Sequence, residues 1–92
     1  MVAGLEKLIQ KPLFMAVRYS CPFCQGALKL ADKHGIKPEL VDVLADGGAD
    51  VKSALEAKTG QKTVPFVFSK GRFIGGYTEL KSEPESFWTG LK

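Results

Sequence analysis

The segment LFMAVRYSCPFCQGALKLADKHG, residues 13–35, decides the fold. Its first five residues are all apolar, which is typical of a strand buried on both faces. After Cys21 the apolar side chains recur at helical spacing, at Cys24, Ala27, Leu28 and Ala31. Pro22 suits a first helical position, where a missing N–H costs nothing, and Gly35 suits the position after the last turn. The segment therefore predicts a buried strand that leads directly into a helix, with Cys21 at the helix start.

Further elements alternate on either side of this unit. A short first helix carries Leu5, Leu8 and Ile9 and ends at Lys11-Pro12. After residue 35 the patterns predict a strand at 39–43, a loop at Gly47-Gly48, a helix that Gly60 ends, and strands 64–68 and 72–74 joined by a turn at 69–71. In a last helical region Ser82 and Glu85 have capping-box spacing, and Phe87, Trp88 and Leu91 can cover the core.

The order of these elements predicts an α/β fold. A β-α-β unit implies a parallel strand pair, and the hairpin adds an antiparallel one. We therefore expect a four-stranded mixed sheet flanked by helices on both faces. The length of 92 residues, without repeat or linker, predicts a single domain over residues 1–92.

Composition excludes several classes of protein. The net charge of +3 is too small and too scattered to indicate nucleic-acid binding. No run approaches the roughly 18–20 apolar residues of a membrane span, and the first residues lack the pattern of a signal peptide. Two cysteines only two residues apart do not make the framework of a secreted, disulfide-rich protein. We therefore expect a reducing compartment, the cytosol, and no membrane partner.

The position of the cysteine pair predicts unequal thiols. A helix N-terminus carries partial positive charge, Arg18 lies three residues upstream, and the Cys24 S–H can donate to a Cys21 thiolate. Such surroundings lower a cysteine pKa and make the thiolate a nucleophile. Cys24 lies about one turn further on, faces inward, and can resolve a mixed disulfide. We therefore predict that Cys21 attacks and Cys24 resolves.

Three other interpretations of the pair are weaker. A zinc site needs about four ligands, whereas the chain adds only the distant His34 to its two cysteines. A purely structural disulfide would close a very short loop and stabilise little. Two unreactive core cysteines would not have to begin a helix directly after a buried strand. No metal is therefore expected.

Two later segments are ambiguous from pattern alone. Lys62-Thr63-Val64-Pro65 precedes the predicted hairpin, and a cis Val64–Pro65 bond would present the Val64 backbone to an extended ligand. The alternative is an edge-strand proline that merely starts the hairpin. Gly75-Gly76-Tyr77-Thr78-Glu79 could form a backbone site for a carboxylate, or a simple turn with Thr78 as N-cap. Glu79 could bind a ligand ammonium or only favour the helix dipole.

Taken together, three motifs resemble those of the dithiol glutaredoxins, within the thioredoxin-like fold. They are Arg18-Tyr19-Ser20-Cys21-Pro22-Phe23-Cys24, Thr59-Gly60-Gln61-Lys62-Thr63-Val64-Pro65 and Gly75-Gly76-Tyr77-Thr78-Glu79-Leu80. The resemblance covers residues 2–91 and implies glutathione as co-substrate. It implies a glutathione site made of Arg18, Phe23, Gln61, Lys62, Thr63, Val64, Pro65, Gly76, Tyr77, Thr78 and Glu79.

The resemblance also implies roles within that site. Arg18, Gln61 and Lys62 would hold the glycine carboxylate, and Val64 would pair through its backbone with the cysteine of glutathione. Pro65 would be a cis proline. The γ-glutamyl end would be held by Thr78 and Glu79.

The chain departs from the family pattern at two positions. Phe23 replaces the commoner tyrosine, which removes a hydroxyl near the sulfur but keeps the aromatic surface. Tyr77 stands where some relatives carry an extra cysteine, so a regulatory disulfide at that place is excluded.

The expected activity is glutathione-dependent reduction of protein disulfides and protein–glutathione mixed disulfides by a monomer. An alternative from the same family is a dimer that holds an iron–sulfur cluster through its first cysteine and glutathione. The resemblance implies that Pro22 hinders cluster assembly. A thioredoxin that works with a reductase protein is a third interpretation, against which Arg18 and the Gly75–Glu79 segment speak.

Overall fold

A computed structural model describes residues 4–91 of the chain. Its elements, in chain order, are α1 (Leu5–Ile9), β1 (Phe14–Val17), α2 (Pro22–Lys33), β2 (Glu39–Asp42), α3 (Gly48–Thr59), β3 (Phe66–Ser69), β4 (Arg72–Gly75), α4 (Tyr77–Lys81) and α5 (Glu85–Thr89). Over residues 4–91, no helix has both the length and the apolar character needed to cross a membrane.

The four strands form one mixed sheet in the order β2-β1-β3-β4. β1 runs parallel to β2, with Val17 opposite Asp42, and antiparallel to β3, with Phe14 opposite Phe68. β3 and β4 form the predicted antiparallel hairpin. The predicted four-stranded mixed sheet is therefore confirmed, with the β-α-β unit at one side and the hairpin at the other.

Helices cover both faces of the sheet, as predicted. On one face Met15 and Val17 belong to an apolar cluster with residues of α2, α4 and α5, namely Cys24, Ala27, Ala31, Leu80 and Trp88. On the other face Phe14 and Ala16 belong to a cluster with residues of α1 and α3, namely Leu5, Ile9, Val51 and Leu55. Successive side chains of a strand point to opposite faces, so the unbroken apolar run of β1 follows from the burial of both.

The hairpin differs from its prediction at both ends of β3. The strand begins at Phe66 rather than at residue 64, because Pro65 has no N–H to donate to a ladder. The turn is also shorter than predicted: Lys70 and Gly71 form it with φ values of 52° and 88°. Two central residues with positive φ are the tight turn that suits the twist of a hairpin.

The predicted last helical region consists of two short helices, and the capping box at Ser82 and Glu85 is wrong. Ser82 ends α4 and its hydroxyl donates to the Thr78 carbonyl at 3.0 Å. Pro84 is the N-cap of α5 with extended backbone. A proline disfavours helical backbone at the residue before it, which separates the two helices.

Gly48 begins α3 rather than belonging to the loop predicted at Gly47-Gly48. A β-carbon at residue 48 would lie 2.3 Å from the Asp42 carbonyl oxygen and 2.5 Å from the Val43 carbonyl carbon. Only glycine allows this approach of the helix start to the end of β2.

Candidate functional site

Cys21 and Cys24 lie where β1 gives way to α2. Cys21 is the N-cap of α2, as predicted, with Pro22 at the first helical position. Its N–H donates to the Arg18 carbonyl at 2.9 Å, which closes the short turn between strand and helix. Both cysteines are free thiols. Cys21 keeps 7% of its surface exposed and Cys24 none, so the first thiol alone can be approached from solvent.

The surroundings of Cys21 favour its thiolate. The backbone N–H of Cys24 is the largest cause of a lowered pKa, with smaller contributions from the Phe23 N–H, the Cys24 thiol and the Arg18 charge. Burial acts in the opposite direction but does not prevail. The Cys21 side chain makes no capping hydrogen bond of good geometry. The two N–H groups therefore stabilise its thiolate as nearby dipoles at the start of the helix.

Cys24 has the opposite character. Burial is the main cause that raises its pKa from 9.0 to about 11, and donation to Cys21 adds to the effect. The backbone N–H of Arg18 donates to the Cys24 sulfur at 3.4 Å and opposes this rise only in part. Cys24 is therefore a thiol that stays protonated while Cys21 ionises.

The Val64–Pro65 peptide bond is cis, as the first of the two interpretations from the sequence requires. Val64 lies outside β3 and packs against the apolar cluster that contains both cysteines. Its backbone is therefore not part of the strand pairing of β3.

Gln61 supports this cis-proline segment. Its side-chain Nε2 donates to the Thr63 carbonyl at 2.6 Å and to the Pro65 carbonyl at 2.9 Å. Both partners are acceptors, so the nitrogen must face them and the amide oxygen must face away. In this structure the two N–H groups of the amide are therefore engaged with backbone carbonyls.

The glycine segment leads from β4 into α4. Gly75 has φ of 128°, and a β-carbon there would lie 2.7 Å from the Glu79 side chain. The N-cap of α4 is Gly76, not Thr78, and the Gly76 N–H donates to Glu79 Oε1 at 2.7 Å. The Thr78 side chain is exposed, as is that of Glu79.

These segments enclose a cleft of about 240 Å³, here called the first cleft. It is lined by Phe23, Gln61, Thr63, Val64, Pro65, Gly76, Tyr77, Thr78 and Glu79. The structure thus brings together every residue of the predicted glutathione site except Arg18 and Lys62. Those two cations lie outside its lining.

Arg18 lines a neighbouring cleft of about 330 Å³, here called the second cleft. Its lining residues are Arg18, Val43, Leu44, Ala49, Lys52, Ser53, Glu56 and Val64. Val64 is common to both clefts and separates them. Lys52 Nζ donates to Glu56 Oε2 at 2.6 Å, and this ammonium holds the pKa of Glu56 below its usual range.

The sequence analysis missed Gly26. A β-carbon at this position of α2 would lie 3.0 Å from Cε1 and 3.1 Å from Cζ of Tyr77. Glycine therefore lets the Tyr77 ring lie against α2, with its centroid 6.4 Å from that of Phe23. A glycine inside a helical pattern was the available signal, since it often marks a close packing contact.

Known proteins share this sequence and geometry. The glutaredoxin family model matches residues 13–74. Glutaredoxin-1 of Rhizophagus irregularis is 35% identical over 78 residues, which span 83% of this chain and 77% of the relative. Glutaredoxin-1 of Gallus gallus is 35% identical over 79 residues, covering 83% of this chain and 76% of the relative.

Solved structures give the same result for the fold. The crystal structure of a mutated buckwheat glutaredoxin superposes with a TM-score of 0.85 at 26% identity, over 94% of this chain and 84% of the other. That of the buckwheat glutaredoxin–glutathione complex has a TM-score of 0.81 at 27% identity, over 94% and 81% of the two chains. The predicted thioredoxin-like fold is confirmed.

Proposed function

The chain belongs to the glutaredoxin family of thiol–disulfide oxidoreductases, and from that premise we propose that it uses glutathione to reduce protein disulfides and protein–glutathione mixed disulfides. The observation that supports this most is the first cleft. Its wall at Val64 packs against the cluster that contains the two unequal thiols. A similar structure was solved as a complex with glutathione.

Glutathione would lie along the cis-proline segment in this proposal. The Val64 backbone lies outside the sheet and can pair with the cysteine backbone of the tripeptide. Glu79 Oε1 accepts from the Gly76 N–H, which leaves the other carboxylate oxygen for the γ-glutamyl ammonium, next to the Thr78 hydroxyl. Phe23 and Tyr77 supply an aromatic wall.

The glycine end would pass Val64 towards the second cleft. Arg18 lines that cleft and has no ion-pair partner within residues 4–91, so its guanidinium can receive the carboxylate. Lys62, which precedes the Val64–Pro65 bond in the sequence, is a second exposed cation. Gln61 would act by holding the Thr63 and Pro65 carbonyls rather than by binding the ligand.

The first reaction is attack on a mixed disulfide. The Cys21 thiolate attacks the glutathione sulfur, a new disulfide forms between Cys21 and glutathione, and the client thiolate leaves and takes a proton from water. A second glutathione thiolate then attacks the bound glutathione sulfur. This releases glutathione disulfide and restores the Cys21 thiolate. The lowered pKa of Cys21 serves both steps, because it makes the thiolate a nucleophile and a good leaving group.

The second reaction uses both cysteines. When Cys21 opens a client disulfide, the enzyme and the client are joined through sulfur. The first client thiolate is released in that attack and takes the proton of Cys24. The Cys24 thiolate then attacks Cys21 Sγ and expels the second client thiolate, which leaves a Cys21–Cys24 disulfide. Two glutathione molecules then reduce that disulfide and leave as glutathione disulfide. Cys24 suits the resolving role because its buried, protonated thiol does not compete for the first attack.

The proposal extends to the oligomeric state, the compartment and the client proteins. We propose a monomer acting in the cytosol, where glutathione is kept reduced, on client proteins with a disulfide or a glutathionylated cysteine.

The test is a glutathione-coupled assay on two substrates, a small glutathione mixed disulfide and a protein disulfide. Cys24→Ser should turn over the first and lose the second, while Cys21→Ser should lose both. Full activity of Cys21→Ser on either substrate would refute the proposal. A wild-type enzyme whose Cys21–Cys24 disulfide is not reduced by glutathione would instead favour a protein reductase as the electron donor.

A further inference from the structure

The second cleft is larger than glutathione's glycine end requires. Beyond Arg18 its lining is mainly apolar, from Val43, Leu44, Ala49 and Val64, with the neutral hydroxyl of Ser53 and the Lys52–Glu56 ion pair. The paired charges compensate each other, so this part of the cleft offers apolar surface without net charge. A charged ligand gains little there, whereas an apolar side chain loses contact with water.

Leu44 is unusually placed within this cleft. Its side chain is 71% exposed, more than that of any other large apolar residue among residues 4–91. Its N–H donates to Asp42 Oδ1 at 2.9 Å, which fixes the chain where it leaves β2. An exposed leucine alone needs no explanation, but this one lies at the rim of an apolar cleft that Arg18, the residue whose backbone bonds both cysteines, also lines.

The reaction itself decides what would occupy this surface. In the proposed mechanism the client is covalently joined to the sulfur that Cys21 attacks. Arg18 lines the second cleft and its backbone is hydrogen-bonded to both cysteines, so this cleft adjoins the reacting thiol. Glutathione would fill the first cleft, so the client residues that flank the modified cysteine are held near the second at high effective concentration. The client is the only molecule that a disulfide bond to glutathione holds near the second cleft.

We propose that the second cleft binds an apolar side chain of the client protein, a few residues from its glutathionylated or disulfide-bonded cysteine. This inference rests on the proposed function and adds a substrate preference to it. Leu44, Ala49 and Val43 are the contact surface, and Arg18 marks the boundary with the glutathione site. The enzyme thereby selects clients whose reactive cysteine lies in an apolar sequence context.

The test compares two glutathionylated peptides that differ only in one residue near the cysteine, leucine or serine, together with a small glutathione mixed disulfide. The variant is Leu44→Ser, which removes the apolar surface without adding a charge beside Arg18 and which the exposure of Leu44 makes harmless to folding. The matched control is Leu40→Ser, because Leu40 is also exposed, at 38%, and lies on β2 outside the second cleft. Each enzyme is assayed for kcat/KM on all three substrates.

We expect the wild type and Leu40→Ser to prefer the leucine peptide by about tenfold, as one apolar contact in a pocket allows. Leu44→Ser should lose that preference while keeping its rate on the small disulfide. Equal kcat/KM for the two peptides with wild type would overturn the inference and leave the proposed function intact. A Leu44→Ser enzyme with a raised KM for glutathione on every substrate would overturn it in favour of glutathione as the occupant. Absence of wild-type activity on the small disulfide would contradict both.

Discussion

The backbone of Arg18 is hydrogen-bonded to both cysteines: its N–H donates to Cys24 Sγ at 3.4 Å, and its carbonyl accepts from the Cys21 N–H at 2.9 Å. The N–H and the carbonyl of Arg18 thus connect the end of β1 to the first turn of α2. The relative position of the two thiols is set by backbone groups, while the Arg18 side chain is left to line the second cleft. Geometry and charge at this residue are therefore separable by mutation.

Alkylation should distinguish the two thiols by pH. The fraction of thiolate rises as the pH passes upward through the pKa, so a lowered pKa makes Cys21 reactive at lower pH than a free cysteine. We expect Cys21 to react with iodoacetamide with a midpoint below 9.0. In Cys21→Ser, Cys24 should react with a midpoint above 9.0, because its burial remains, but below 11, because the contributions of Cys21 are lost. Mass spectrometry of quenched samples between neutral and strongly alkaline pH measures both. Equal midpoints would contradict the assignment of roles.

Arg18→Gln should weaken glutathione binding more than it weakens the nucleophile. The Arg18 charge is the smallest of the causes that lower the pKa of Cys21, so the alkylation midpoint should move only slightly upward. Loss of the guanidinium should raise the KM for glutathione. Lys37→Gln is the control, because it removes the same charge just before the start of β2, at the opposite end of the sheet from Cys21. An unchanged KM in Arg18→Gln would place the glycine carboxylate elsewhere.

Gln61→Met should destabilise the protein and impair the site together. The variant keeps the length of the side chain but removes the donors to the Thr63 and Pro65 carbonyls. Because one of these bonds is exposed and the other partly buried, the cost should be about 1–2 kcal/mol. Urea unfolding gives the change in stability, and steady-state kinetics give the KM for glutathione. Gln25→Met loses one exposed hydrogen bond, to the Tyr19 carbonyl, and should cost less. A rise in KM without any loss of stability would instead favour direct contact between Gln61 and the ligand.

Gly26→Ala should affect the first cleft more than the fold. Alanine favours a helix over glycine by about 1 kcal/mol, which offsets part of the contact with Tyr77. The ring must move, since the new β-carbon would lie 3.0 Å from Cε1. We expect a raised KM for glutathione with little change in the unfolding midpoint. In a Tyr77→Ala background the same substitution should become stabilising, and a failure to do so would show that another contact limits residue 26.

His34→Ala should loosen the attachment of α5 to α2. The His34 ring stacks on Trp88, with centroids 4.3 Å apart and planes 4° from parallel, and its Nδ1 lies 3.7 Å from Glu85 Oε2. Loss of the stack should cost about 1 kcal/mol, whereas His34→Phe should retain most of it. Because Trp88 is the only tryptophan, its fluorescence reports both the local change and the urea midpoint. Identical midpoints for all three proteins would show that the stack does not contribute to stability.

The local patterns of the sequence determined most of the fold and the unequal thiols. An apolar run over residues 13–17 can be satisfied only by burial on both faces, and the spacing of Cys24, Ala27 and Ala31 fits one face of a helix. Both patterns report on neighbours within a few residues, and they placed Cys21 at the start of α2 and Cys24 in the core. The break at Pro84 was missed because the capping spacing and the proline gave conflicting local signals.

Only the tertiary structure decided how the distant segments face one another. The family resemblance implied that Gln61 and Arg18 would both hold a carboxylate. In the structure the donors of Gln61 bind the Thr63 and Pro65 carbonyls, and Arg18 lines a separate cleft. Likewise, nothing near Gly26 in the sequence indicates that Tyr77 would lie against it. Periodicity reports which face of an element is buried, whereas the partner on that face depends on the arrangement of the whole chain. The roles of the cysteine pair can therefore be predicted from the sequence, whereas the two neighbouring clefts cannot.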